Sequence, residues 1–313
     1  VMLAGAVARF AQAYGVAAGQ KVVFFGGHDG IWESALAAAD AGVGVAAIVD
    51  PRPDPPADLV SKAQKAGIAT RAGLAVVRVT GSKSVSGVAI APVSASGAIT
   101  GQVETLNADI CATSAGWMPA VHLHSQAGSR PVYDEGRGIF LPGEPRERWR
   151  SAGACHGVFG LKAALADGAA AGRDAATEAG FKTDDAALPE IEAEREPSAP
   201  VILRSVESPR GAKAKIFVDQ QHDVTASDVT LAHREGYRSV EHLKRYTTLG
   251  MATDQGKNSN VVALAVLADA TGRGIPETGT TTFRPPYVPV AIAAMGAGSQ
   301  EHGFAPERHT TSH

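Results

Sequence analysis

Apolar positions along the chain fall into short runs separated by glycine and proline, and the spacing of those runs changes twice. The opening "VMLAGAVARFAQAYG" places alanine, valine and phenylalanine at helical intervals with Arg9 breaking the run, which predicts an amphipathic helix. Next, "KVVFFGGHDGIWESALAAADAGVGVAAIVD" sets an apolar run Val22–Phe25 before the glycine turn Gly26–Gly27. Helix formers follow from Asp29 to Ala41, with Gly42 as the stop, and a second apolar run, Val45–Val49, is closed by Asp50. "PRPDPPADLV" reads as a proline-rich turn entering a helix that reaches about Ala66. Short β runs then follow one another: "GLAVVRVTG", "SGVAIAPV", "AITGQVETL" and "DICATSAGW". "AGWMPAVHLHSQAG" is expected to be loop and strand, placing His122 and His124 on one strand face. Beyond it come a strand, a glycine-rich turn at Gly153–Gly157 and a long alanine-rich helix.

The pattern shifts at residues 181–211, where Asp, Glu and Pro are dense and Phe181 is the one aromatic. This is a connector expected to lie extended on another surface, with Val201–Leu203 able to dock as a strand. From Lys215 to Asn260 the chain predicts two short helices between polar loops, "VDQQHDVT" and "MATDQGKNSN". Thr225 or Ser227 would cap the first helix and Ser239 the second. The expected fold class is α/β, a Rossmann-like three-layer nucleotide-binding domain followed by a small, mainly helical domain. The expected boundaries are a dinucleotide-binding domain over 1–180, a linker over 181–211, a helical domain over 212–275 and an extended tail over 276–313.

Composition narrows the chemistry. Of 313 residues, 44% are hydrophobic and 19% charged, with a net charge of −3, so no basic stripe supports nucleic-acid binding. No apolar run is long enough for a membrane span, and the chain is expected to be cytoplasmic. Only Cys111 and Cys155 are present, too few for a disulfide framework or a four-thiolate site. Strand, glycine turn, helix, strand, acid is the order of a dinucleotide-binding unit, with Asp50 placed for ribose hydroxyls. The turn departs from the usual glycine fingerprint: His28 and Ile31 stand where glycines would let a pyrophosphate and the helix approach, and Asp29 brings negative charge to the helix start. At Gly153–Gly157, the strand, "SAGACHG" and helix could bring backbone N–H groups to a cofactor, or simply turn a strand into a helix. His122 and His124 could ligate a metal, but no third ligand is near. Cys155 beside His156 could be a nucleophile, though sequence neighbours on a turn rarely face each other.

Three resemblances add to this reading. The β-run layout after the first βαβ unit resembles the NAD(P)H half of flavoprotein disulfide reductases. The "DVT…helix…DQG" frame resembles the 2Fe–2S domain of the bacterioferritin-associated-ferredoxin type, and aligning it places Asp219, Gln221, Asp254 and Ser259 at the four cysteine positions. None is a thiolate, so no iron–sulfur cluster is expected. Over nearly the whole chain, "KIFVDQQHDVTASDV", "REGYRSVEHLKRYTTLGMATDQGKNSN" and "GTTTFRPPYVPV" resemble the α subunit of heterotetrameric sarcosine oxidase.

That resemblance implies a sarcosine-oxidising flavin complex with β, γ and δ partner subunits. NAD would be held in this subunit, FAD in a partner and FMN at the subunit boundary. It also implies a middle segment, starting inside the nucleotide-binding region and ending before a folate-binding domain that would take tetrahydrofolate. The implied cofactor-binding residues are Gly26, Gly27, His28, Asp50, Gly153, Gly157, Thr253, Gln255, Gly256, Lys257 and Arg284, with no catalytic residue in the chain. A non-catalytic assembly module and a dye-linked proline or opine dehydrogenase α subunit are the alternatives.

Overall fold

The computed structural model describes residues 1–313 except 185–186, 192–194, 196, 212–213, 296–308 and 313. The described chain forms two compact units. The first comprises residues 1–120, 132–141 and 149–215, and the second 121–131, 142–148 and 216–313. Residues 181–211, expected to be a linker, therefore pack within the first unit, and two short stretches before residue 149 belong to the second.

The first unit opens with β1 (Met2–Leu3) and α1 (Ala4–Tyr14), then β2 (Val22–Phe25), α2 (Asp29–Asp40), β3 (Val45–Asp50), α3 (Ala57–Lys65) and β4 (Ala69–Ala72). An antiparallel meander follows, β5 (Leu74–Gly81), β6 (Val85–Pro92) and β7 (Glu104–Leu106), before β8 (Ile110–Thr113) returns to the first sheet. That sheet is parallel, in the order β1–β8–β2–β3–β4. Its two faces follow from alternation. Val22, Phe24, Ile48 and Ala112 point to one side and bury against α1, α2 and α3. Val23, Ala47, Val49 and Cys111 point to the other and bury against Val88 and Ile90 of the meander. Helices, parallel sheet and meander make the expected three layers.

Some expected elements changed type. "DICATSAGW" yields only Ile110–Thr113, and it is a parallel central strand; its continuous apolar run is what burial on both faces requires. "AITGQVETL" is a strand only at Glu104–Leu106, with Ile99 in a single bridge to Val93. Val201–Leu203 is not a strand, although the Val201 N–H donates to the Gly27 carbonyl at 2.8 Å. The hairpin β9 (Val132–Asp134) and β10 (Ile139–Leu141), one 3₁₀ turn at Gly153–His156 and the helix α5 (Leu161–Glu178) complete the unit. No residue of α5 is buried.

In the second unit, His122–Gln126 is a short helix, α4, not a strand. At helical pitch, residues two apart diverge by roughly 200°, so His122 and His124 leave opposite faces. The hairpin of β11 (Phe217–Asp219) and β12 (Val224–Thr225) precedes α6 (Ala226–Arg234) and α7 (Val240–Thr247). Thr225 caps α6 in a capping box with Asp228, and Ser239 caps α7. A further helix, α8 (Asn260–Thr271), was not expected from the sequence. It is apolar nearly all round and hence lacks the one-sided pattern, and it buries Leu264 and Leu267. No helix among the described residues is long and apolar enough to cross a membrane.

Candidate functional sites

The crevice at the carboxyl ends of β2, β3 and β8 is where a doubly wound sheet presents its binding edge. The turn Gly26–Gly27 leaves β2 there, and backbone packs closely over it. A Cβ on Gly26 would collide with the Ser114 carbonyl following β8, and one on Gly27 would lie 2.7 Å from the Val201 carbonyl. Here the glycines serve close approach of this chain's own backbone.

His28 caps α2. Its Nδ1 accepts from the Gly30 N–H at 3.2 Å, so Nε2 carries the proton and donates to Ser114 Oγ at 2.8 Å. Burial and the Arg52 charge hold its pKa below the ordinary histidine value, keeping the ring neutral and able to accept at Nδ1. Asp50 is 0% exposed and its oxygens are engaged inside the protein. Trp32 Nε1 donates to Oδ2 at 2.7 Å, the Arg52 N–H to Oδ1 at 2.8 Å, and the Arg52 guanidinium to both oxygens. The same guanidinium donates to Asp29 Oδ1 at 2.7 Å, while the other Asp29 oxygen accepts from Arg195 Nη1 and the Ser198 N–H, each at 2.7 Å. Burial opposes the charge on Asp29, but the hydrogen bonds from Ser198, Arg195 and Arg52, with Arg52's charge, outweigh it and lower the pKa.

The sequence marked Gly26, Gly27, His28 and Asp50 but not Trp32, Arg52, Ser114, Arg195 or Ser198, which complete this cluster. Arg52 two residues after the strand-end acid was the available signal. That it buries, and that Arg195 arrives from far along the chain, were not readable.

Gly153 and Gly157 flank the 3₁₀ turn, both at positive φ. The Gly153 N–H donates to Asp167 Oδ2 at 2.8 Å, and His156 Nδ1 lies 3.1 Å from the same oxygen. This partner turns His156 to Asp167, the seventh residue of α5, while Cys155 is exposed. The N-cap residue of α5 is Gly160, which offers no side-chain cap.

In the second unit the two polar loops meet. Asp219, buried, accepts from the Gln221 and His222 N–H groups, from the Gly250 N–H at 2.9 Å and from Ser259 Oγ at 3.4 Å. Thr253 Oγ1 donates to Gln221 Oε1 at 3.3 Å. Asp254 accepts from the N–H groups of Gly256 and Asn258, folding its own loop. Three of the four residues expected at thiolate positions, Asp219, Gln221 and Ser259, are thus joined by hydrogen bonds, while Asp254 bonds within its own loop. Gly256 has φ of 73°, and its bare Cα accommodates the Asn260 side chain, which itself donates to Thr281.

Gln255 and Lys257 reach the tail. Gln255 Nε2 donates to the Pro286 carbonyl at 2.5 Å, and Lys257 Nζ to the Tyr287 carbonyl at 2.8 Å, lying 4.8 Å from the centre of the Tyr287 ring. Between them they hold the segment that carries Arg284, which is exposed and pairs with no carboxylate among the described residues. His122 packs against the rings of Phe283 and Tyr287 at 4.1 and 5.3 Å, and neither of its nitrogens has a partner. Burial first, then the Lys257 charge, pushes its pKa down to about 4. His124 Nε2 instead faces the Gly143 carbonyl at 2.6 Å. No group of three His, Cys, Asp or Glu residues able to hold a metal occurs among the described residues.

Residues 213–299 match the family model described as the sarcosine oxidase A3 domain. All of the chain aligns with the sarcosine oxidase subunit alpha of Rhizobium meliloti (strain 1021) at 37% identity, covering 30% of that protein. It aligns likewise with that of Corynebacterium sp. (strain P-1) at 38% identity, covering 33%. The chain thus spans about a third of the length of these curated relatives. Among solved structures, L-proline dehydrogenase from P. horikoshii shares the fold with a TM-score of 0.57 at 20% identity, over 92% of this chain and 52% of that one.

Proposed function

We propose that this chain, homologous along its whole length to part of the sarcosine oxidase α subunit, serves as the nucleotide-binding-fold and flavin-boundary portion of such an oxidoreductase. The assembly would oxidise sarcosine to glycine, reducing oxygen to hydrogen peroxide and releasing the methyl carbon as formaldehyde or passing it to tetrahydrofolate. It would comprise β, γ and δ subunits, with FAD in a partner, FMN at the boundary and NAD in this subunit. The whole-length identity of 37% carries the family, and the grip of Gln255 and Lys257 on the tail carries the boundary role.

Thr253, Gln255, Gly256, Lys257 and Arg284 fit an anionic flavin edge through one group above all. Arg284 is exposed, cationic and unpaired with any described carboxylate. Lys257 and Gln255 are committed to main-chain carbonyls, so their part is to fix the Arg284 segment against a partner surface. FMN at this boundary would supply the relay of electrons to oxygen; the chain's own residues would position a phosphate and exclude water. For NAD, the positive-φ glycines Gly153 and Gly157, beside the start of α5, form the better-suited edge.

Co-expression with the β subunit tests the boundary role. Arg284→Ala should lower FMN incorporation, and Lys257→Ala should do so by loosening the segment. Full FMN content and normal assembly in the double variant would end the proposal.

A further inference from the structure

The dinucleotide-binding order of β2, turn, α2, β3 and acid leads one to look for a nucleotide at Gly26–Gly27. Such a ligand needs three things from this place. It needs free N–H groups at the start of α2, an uncompensated positive helix end for its phosphates, and a strand-end carboxylate for its ribose.

Each is already in use. The Gly30 N–H donates to His28 Nδ1. Asp29, the first residue of α2, puts its own carboxylate at the positive end and is held there by Arg52, Arg195 and Ser198. Asp50 is satisfied by Trp32 and Arg52 and is inaccessible. The close approach that glycine permits at residue 27 is taken by Val201.

We infer that the Gly26–Gly27 turn does not take a dinucleotide and is instead the docking site of the chain's own connector, through Arg195 and residues 197–201. The connector mimics neither base nor ribose; it supplies the hydrogen-bond partners that phosphates would have met. Arg195 neutralises Asp29 from the solvent side, with Glu33 and Asp58 at 3.7 and 3.6 Å completing an acidic seat for it. Beyond Val201 the strand-like path continues. Ile202 lies over Gly138 of the β9–β10 hairpin, and the Glu207 N–H donates to the Gly97 carbonyl at 2.8 Å. The connector is thereby anchored at both ends of this path. This inference does not rest on the flavin-boundary reading, and a nucleotide at Gly153–Gly157 would leave it intact.

Hydrogen exchange of the full chain, with NAD and ADP-ribose as probes, tests it. Peptides covering 25–31 and 197–203 should be protected, and neither probe at millimolar concentration should change them, whatever happens at 153–163. In the variant Arg195→Gln with Val201→Pro, exchange over 197–203 should quicken by about tenfold or more, since a charged and a neutral hydrogen bond are lost. Arg195→Gln alone, which leaves the Asp29–Arg52 pair untouched, should show a smaller rise in the same peptide. Either of two results overturns the inference: a nucleotide-dependent change at 25–31 or 197–203 in the wild-type chain, or a connector whose exchange is indifferent to both substitutions.

Discussion

Among the described residues Arg52 alone touches both Asp29 and Asp50, and replacing it by Met removes that group while keeping much of its volume. Arg52 donates to Asp29 at 2.7 Å and to Asp50 at 2.7 and 3.1 Å, and all three side chains are buried. Breaking a buried ion pair from one side costs about 3–5 kcal/mol, because the abandoned charge stays desolvated. Each carboxylate here keeps other donors, Trp32 for Asp50 and Arg195 with Ser198 for Asp29, which places the expected loss near the lower end, about 3 kcal/mol.

Trp32, Trp117 and Trp149 all lie in the first unit, so tryptophan fluorescence during urea unfolding reads that unit alone. With a slope of roughly 2 kcal/mol per molar, the midpoint should fall by about 1.5 M. Arg52→Lys, which keeps charge but not the planar fork, should fall between wild type and Arg52→Met. The sign with pH follows from Asp29. Its folded pKa lies below the unfolded value, so its stabilisation is present above the unfolded value and lost as acid carries the pH down through the folded one. Arg52→Met removes part of that stabilisation, so the gap between wild type and variant narrows as the pH falls from 7 to below the unfolded value of 3.8. A midpoint change under about 0.5 M, or one that is the same at both pH values, would refute the reasoning.

The second unit offers two further tests. His122, 7% exposed, has a folded pKa of about 4 against 6.5 unfolded, so the unfolded chain binds the proton first and stability drains away as pH drops through that window. The gap is worth roughly 3 kcal/mol, and His122→Phe should flatten the dependence of the tyrosine-monitored melting temperature between those limits; an unchanged slope would clear His122 of the role. Asp219→Ala leaves the Gly250 N–H orphaned and should cost about 2–3 kcal/mol with fast exchange at Gly250, whereas Asp219→Asn, which keeps one acceptor, should cost less; equal losses would count against the hydrogen-bond account.

Much of the parallel sheet was legible because its signals are local. Val22–Phe25, the glycine turn, the helix ending before Gly42 and Val45–Asp50 sit in the structure where periodicity and turn residues put them; the Ser239 cap was found from residue type alone, and Thr225 was one of two residues offered for the other cap. The short helix at His122–Gln126 was misread, because an alternating stretch of five residues fits a strand and a single helical turn equally well. The helix over Asn260–Thr271 was passed over for the opposite reason: apolar residues nearly all round, Val262 on the exposed side among them, erase the one-sided stripe.

The candidate sites divide in the same way. The sequence by itself determined that four thiolates are absent, that the chain carries the βαβ order and that it resembles the sarcosine oxidase α subunit, since counts, short-range patterns and motif spacing are properties of the chain alone. Only the tertiary structure decided what Asp29 and Asp50 bind. A carboxylate at a strand end reads the same whether it awaits a ribose or a guanidinium. Asp50 here takes Arg52 from two residues on and Trp32 from α2, while Asp29 takes the same Arg52 and, from more than a hundred residues away, Arg195, brought in by folding of the connector onto the sheet.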